Sequence, residues 1–134
     1  MLLDMAGNVL VDSSFYIDRL RAGEDPFEEF AEHADDTDFF VCGVVKIEVL
    51  RGVKIKKAHT RLTNLFGTML YVPTANHIWE RSAELAWELD RQGRSMQVTD
   101  LVIATCALSA DAALLTFDSD FLRVPGLRVI ERLG

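Results

Sequence analysis

Four carboxylates stand in this sequence where its apolar patterning leaves little room for charge. The run "NVLVD" ends in Asp12 and the run "ALLTFD" ends in Asp118, each closing a segment that reads as a buried strand. In "VVKIEVLRG", helical spacing sets Glu48 beside Val44, Val45, Val49 and Gly52, so it shares the buried side of its helix. In "TDLVIATCAL", Asp100 stands in the first turn of a helix and aligns with Ile103, Ala104 and Ala107, on the face that meets the core. A charged group on such a face is costly unless it is paired or coordinates a cation. Asp12, followed by Ser13 and Ser14, also reads as an ordinary helix cap, and Asp100 suits the positive end of a helix dipole. Glu48 has no such local explanation.

Carboxylates from separated elements that converge on one cleft suit Mg²⁺ or Mn²⁺, hard cations that take oxygen ligands and keep several waters. Without the ion the acids repel one another, and at least one holds a proton more readily than an isolated acid. With it, water becomes a better nucleophile and charge on a phosphate is neutralised. That chemistry is hydrolysis of a phosphodiester.

The elements that must bring these acids together follow from the alternation of the chain. Strands are expected at "NVLVD", "DFFVCG", "LYVPT", "ALLTFD" and "LRVIERL". Helices are expected at "SSFYIDRLRAG", at "DPFEEFAEHA" with Asp25 before Pro26, at "VVKIEVLRGV", at "KAHTRLTNLFGTM", at "ANHIWERSAELAWELDRQG" and at "VTDLVIATCALSADA", with "SDFLRV" a short helix or turn. Strands separated by helices, several nearly continuous in Val, Leu, Ile and Phe, indicate an α/β fold, a three-layer α/β/α sandwich with a central, mostly parallel sheet. Ligands of such sheets bind outside the carboxyl ends of the strands. If "NVLVD" and "ALLTFD" share the sheet, Asp12 and Asp118 emerge on one edge. Residues 1–134 carry no internal repeat and no linker, and read as a single domain.

Composition narrows the alternatives. A net charge of −7 argues against broad non-specific binding of nucleic acid. Within it, "RGVKIKKAHTR" concentrates Arg51, Lys54, Lys56, Lys57 and Arg61 into a positive stripe, either a solvated helix face or a local basic patch. Cys42 and Cys106 lie in apolar runs and read as reduced core thiols. No apolar stretch approaches the length of a membrane span, and the amino terminus lacks a basic region followed by a long apolar core, so the expected location is the cytoplasm. A Gly-rich phosphate loop, zinc-spaced cysteines and a nucleophile elbow are all missing, and His33, His59 and His77 have no mutual ligand spacing. Trp79 and Trp87, eight apart on one helix, are expected in core or interface packing.

The ordered set "VDSSFYID", "VVKIEVLRG", "VTDLVIATCA" and "LLTFDSDF" resembles the PIN-domain family, particularly the small VapC-type ribonuclease toxins of prokaryotic toxin–antitoxin pairs. The resemblance covers nearly the whole chain. It implies that Asp12, Glu48, Asp100 and Asp118 are catalytic, metal-binding acids, with Mg²⁺ or Mn²⁺ as cofactor. Thr116 matches a hydroxyl that supports the site in the family, and Ser13 or Ser14 is placed to do the same. "FDSD" offers Asp120 as an alternative fourth acid, Asp118 being preferred because it directly ends the strand. The resemblance further implies an RNA substrate, a homodimer without membrane attachment, and an antitoxin whose C-terminal segment occupies the active-site groove. Two functions stand side by side: a metal-dependent endoribonuclease acting as a toxin, and a non-catalytic PIN-like module that binds RNA or protein.

Overall fold

The computed structural model describes residues 7–134. Residues 1–6, which the single-domain expectation included, lie outside the described residues. Strand β1 is Gly7–Val11, followed by helices α1 (Ser13–Arg21) and α2 (Pro26–Glu32). Strand β2 (Thr37–Cys42) leads into α3 (Gly43–Arg51) and α4 (Lys56–Gly67), then β3 (Leu70–Val72). Helices α5 (Asn76–Arg91) and α6 (Val98–Ser109) precede β4 (Ala113–Leu115), a 3₁₀ turn (Ser119–Arg123) and β5 (Val129–Ile130).

The five strands form one sheet in the order β3-β2-β1-β4-β5, and every pairing is parallel. The chain therefore builds outward from β1 on one side, then returns to build outward on the other. The order reverses between β1 and β4, where Val9, Leu10 and Val11 lie opposite Ala113, Leu114 and Leu115. Such a reversal leaves a crevice at the carboxyl ends of the two strands, because their connections leave in opposite directions. Asp12 extends this ladder by one bond, its N–H donating to Leu115 O at 2.9 Å.

Leu10, Val11, Val41, Leu114 and Leu115 are fully buried, as expected of central parallel strands covered on both faces. Helix α6 is buried continuously from Leu101 to Ala107, which explains why its apolar residues show no single stripe. It meets α5 through a buried Ser82–Thr105 hydroxyl contact of 3.0 Å. Around α1, the rings of Phe15, Tyr16, Phe30 and Phe66 pack with centroids 5.3–6.3 Å apart. Cys42 and Cys106 are free and buried, as expected. No helix among the described residues is long and apolar enough to cross a membrane.

Three local expectations need correction. Trp79 and Trp87 are 49% and 62% exposed, which removes the core half of the core-or-interface expectation; the buried residues of α5 are Ile78, Ser82 and Leu89, a stripe rotated from both indoles. The strand expected from "LRVIERL" is only Val129–Ile130, an edge pair with one neighbour. Strand β4 stops at Leu115, so Asp118 does not directly end it: Thr116 and Phe117 intervene.

Candidate active site

Asp12 follows β1, is 3% exposed, and caps α1 by accepting the Ser14 N–H at 3.4 Å on Oδ2. The same oxygen accepts from Thr116 Oγ1 at 2.8 Å. A hydroxyl has one proton, so these contacts fix the direction of a longer chain. With the Thr116 proton on Asp12, Ser14 Oγ must donate to Thr116 Oγ1 across their 3.1 Å contact. Ser14 Oγ in turn accepts the Phe117 N–H at 3.1 Å, and Thr116 Oγ1 accepts the Asp118 N–H at 3.0 Å. The turn after β4 is thus tied to the cap of α1 and, through it, to one oxygen of Asp12.

The other oxygen is treated differently. Ser13 Oγ lies 3.5 Å from Asp12 Oδ1 but 2.8 Å from Glu48 Oε1, so its proton belongs to Glu48. This bond holds the half-buried Glu48 against the start of α1, and among the described residues it leaves Asp12 Oδ1 with only a long contact. Asp118 caps the 3₁₀ turn, accepting the Asp120 N–H on Oδ1 at 2.9 Å. Asp120 forms an ion pair with Arg123 at 3.3 Å, while Arg123 also donates to Ser95 O at 2.9 Å.

Asp100 lies half-buried in the first turn of α6. Burial first, then the charges of Asp12, Asp118, Glu48 and Asp120, push its carboxyl up to about 6 from an ordinary 3.8. A carboxyl raised in the folded state opposes folding once it is ionised. Between about pH 4 and 6 the native protein holds a proton that the unfolded chain has released, so stability falls as pH rises through that window and stays lower above it. In EDTA, Asp100→Asn should therefore melt above wild type at pH 8, by roughly 3–5 °C for an effect of about 1 kcal/mol after solvent screening. The gap should close towards pH 4.5 in calorimetric scans, and a gap that widens there would contradict the assignment.

The acids fit a hard cation. Among the described residues no three His, Cys, Asp or Glu groups close into a ready cage. Yet the donors are all carboxylates, and Asp12 keeps one oxygen nearly free of protein donors. Burial first, then the neighbouring acids, raise the Asp100 carboxyl, and a divalent ion held by these carboxylates would relieve the second of these.

Other features lie elsewhere. Arg51, Lys54, Lys56 and Lys57 are half- to fully exposed around the end of α3 and the start of α4, as a solvated stripe requires. Arg61 is already engaged, pairing with Asp25 at 2.9 Å and lying over the Phe27 ring at 4.1 Å. A cavity of about 510 Å³ beside Phe30, Leu65 and Met69 reaches Thr37, Asp38 and Leu70 at the amino ends of β2 and β3, the edge opposite the acids. One residue beside the acids escaped the sequence reading: Phe117, 42% exposed, stacks on buried Phe15 at 5.6 Å. Its place in an apolar run disguised it as more strand.

A PIN domain model matches residues 9–127, nearly the whole of the described fold. The chain belongs to the PIN-domain family. Comparison with curated proteins finds no match. Among solved structures, this PIN domain is similar to a chain of the Rickettsia felis VapBC2 complex bound to a promoter DNA fragment, with TM-score 0.78 and 19% identity over 92% of this chain and 97% of that one. It is likewise similar to a chain of the DNA-bound VapBC complex of Salmonella typhimurium, with TM-score 0.75 and 18% identity over 92% and 96% of the two chains. VapC20 of Mycobacterium tuberculosis, a sarcin–ricin-loop-cleaving toxin, matches with TM-score 0.66 and 15% identity over 91% and 98%. At such identities the shared property is the PIN fold.

Proposed function

We propose that this PIN domain, acting as one unit over residues 1–134, is a divalent-metal-dependent endoribonuclease and the VapC-type toxin of a type II toxin–antitoxin pair. The observation that carries the reading is the one-sided bonding of Asp12: Oδ2 is fixed by Thr116 and the Ser14 N–H, while the nearest donor to Oδ1 among the described residues is Ser13 Oγ at 3.5 Å, whose shorter bond goes to Glu48. Asp12, Glu48, Asp100 and Asp118 would hold Mg²⁺ or Mn²⁺. Such an ion neutralises charge on the phosphate and lowers the pKa of a coordinated water. The chain's own groups then have defined tasks. Thr116 and Ser14 orient Asp12, Ser13 orients Glu48, and an acid of the cluster accepts the proton of the attacking water. The reaction is hydrolysis at phosphorus without a covalent protein intermediate.

Likeness to VapBC complexes supports an antitoxin partner, and to a loop-cleaving toxin supports RNA as substrate. The exposed Trp79, Trp87 and Tyr71 supply apolar surface for a homodimer. A cytoplasmic location agrees with this partnership. The caps made by Asp12 and Asp118 would also serve a non-catalytic binding module, but Glu48 caps nothing and still sits in the cluster.

The test is cleavage of total RNA by protein freed of any partner, with Mg²⁺, with Mn²⁺ and with EDTA, alongside melting curves in Mn²⁺. Discrete fragments in both metals, none in EDTA, and a higher melting temperature with Mn²⁺ are expected. A folded protein stabilised by Mn²⁺ that leaves every RNA intact would favour the binding module.

A further inference from the structure

We infer that Phe117 is a stacking platform for one unpaired nucleobase of the RNA strand beside the scissile phosphate, an inference that rests on the ribonuclease reading above. Its ring is 42% exposed, whereas its aromatic neighbours Phe15, Tyr16 and Phe30 are 0–4% exposed. Phe15 lies against it at 5.6 Å with the planes 29° apart and Arg19 Cζ lies over the ring, so the 42% exposure is what these two contacts leave uncovered. The ring is carried by the segment that builds the site. Thr116 on one side donates to Asp12, Asp118 is on the other, and the Phe117 N–H is held by Ser14 Oγ at 3.1 Å.

Charge decides what such a ring can receive. Arg19 lies 5.5 Å from the Phe117 centroid, but it is surrounded by Glu29 and Asp18 at 3.1 Å and Glu24 at 3.7 Å. Its charge is compensated, and it props the aromatic stack rather than offering a phosphate ligand. With Arg19 compensated and Asp118 the next residue, the local surface suits the flat, uncharged face of a base and not the backbone. Asp118 is the next residue, about 3.8 Å away between Cα atoms, so a base resting on the ring would belong to a nucleotide near the one that the acids engage. Base–aromatic stacking tolerates any sequence but requires a base freed from a helix. The substrate class is therefore RNA that is single-stranded or looped at the cut.

The experiment is steady-state cleavage of a mixed-sequence single-stranded 12-nucleotide RNA in Mg²⁺ by wild type, Phe117→Leu, Phe117→Ala, Phe117→Tyr and Phe117→Trp, each checked by its melting temperature. Leu and Ala should raise KM between about fivefold and a hundredfold with a smaller change in kcat, while Tyr and Trp restore the wild-type KM. Salt dependence separates stacking from backbone attraction. The slope of log KM against log salt should survive Phe117→Leu but flatten when Lys54, Lys56 and Lys57 are all replaced by Ala. Wild-type KM in the Leu variant overturns the inference and leaves the nuclease standing. Tyr and Trp variants as impaired as Leu, or a loss confined to binding a protein partner, overturn it too. A wild type that cleaves no RNA overturns it together with the ribonuclease reading.

Discussion

Asp12→Asn should lower the rate of RNA cleavage at least about a hundredfold while leaving a folded protein. Losing a group that merely orients a metal ligand costs about 10–100-fold, so losing a ligand's charge should cost no less. The fold is spared because the carboxamide is nearly isosteric. Its oxygen can still accept from Thr116 Oγ1 and the Ser14 N–H, keeping both the cap and the tie to the turn after β4. Removing the charge also relieves Asp100, whose carboxyl should titrate lower than about 6, and the variant should melt no lower than wild type in EDTA. Single-turnover cleavage, with melting curves in EDTA and in Mn²⁺, reads all three effects. A variant that cuts at the wild-type rate would remove Asp12 from the chemistry.

The second large effect separates two neighbouring acids. Asp118→Asn should lose cleavage by roughly 10–100-fold, whereas Asp120→Asn should stay within about threefold of wild type. Asp118 sits next to Thr116, and asparagine at that position can still cap the 3₁₀ turn by accepting the Asp120 N–H. Asp120 has its carboxylate on Arg123, so its removal releases a partly exposed ion pair of small stabilising value. Parallel rates of the two variants on one RNA preparation decide the matter. Reversed losses would make Asp120 the fourth acid and require Arg123 to release it.

Much of this arrangement was legible in the sequence because it depends on periodicity. Helical spacing put Glu48 with Val45 and Val49, which are buried, although Gly52 on the same line is exposed; for Asp100 it decided less, because α6 is buried all round from Leu101 to Ala107. Apolar runs ending in acid located the edge at β1, but overshot at β4, where the Thr116 side chain rather than a ladder bond holds the Asp118 N–H. What escaped was set by contacts between distant residues. The Arg61–Asp25 pair joins positions 36 apart and removes one cation from a stripe that charge counting had left whole. The exposure of Trp79 and Trp87 depends on which of several apolar stripes α5 turns towards α6. The order of donors from Phe117 through Ser14 and Thr116 to Asp12 has no sequence signature, since it exists only once β1 and β4 are neighbours.

That adjacency also governs when the chain becomes competent. The hydroxyl that orients Asp12 lies 104 residues further along, and β4 enters the sheet only after every element up to α6 has been made. A nascent chain that has emerged as far as α6 therefore has Asp12, Glu48 and Asp100 but neither Thr116 nor Asp118. Closing so long a loop comes late in folding, because local contacts must first reduce its entropic cost. The strand order thus sets a sequence in time: the Asp12–Thr116 tie is made only after β4 has joined the sheet beside β1.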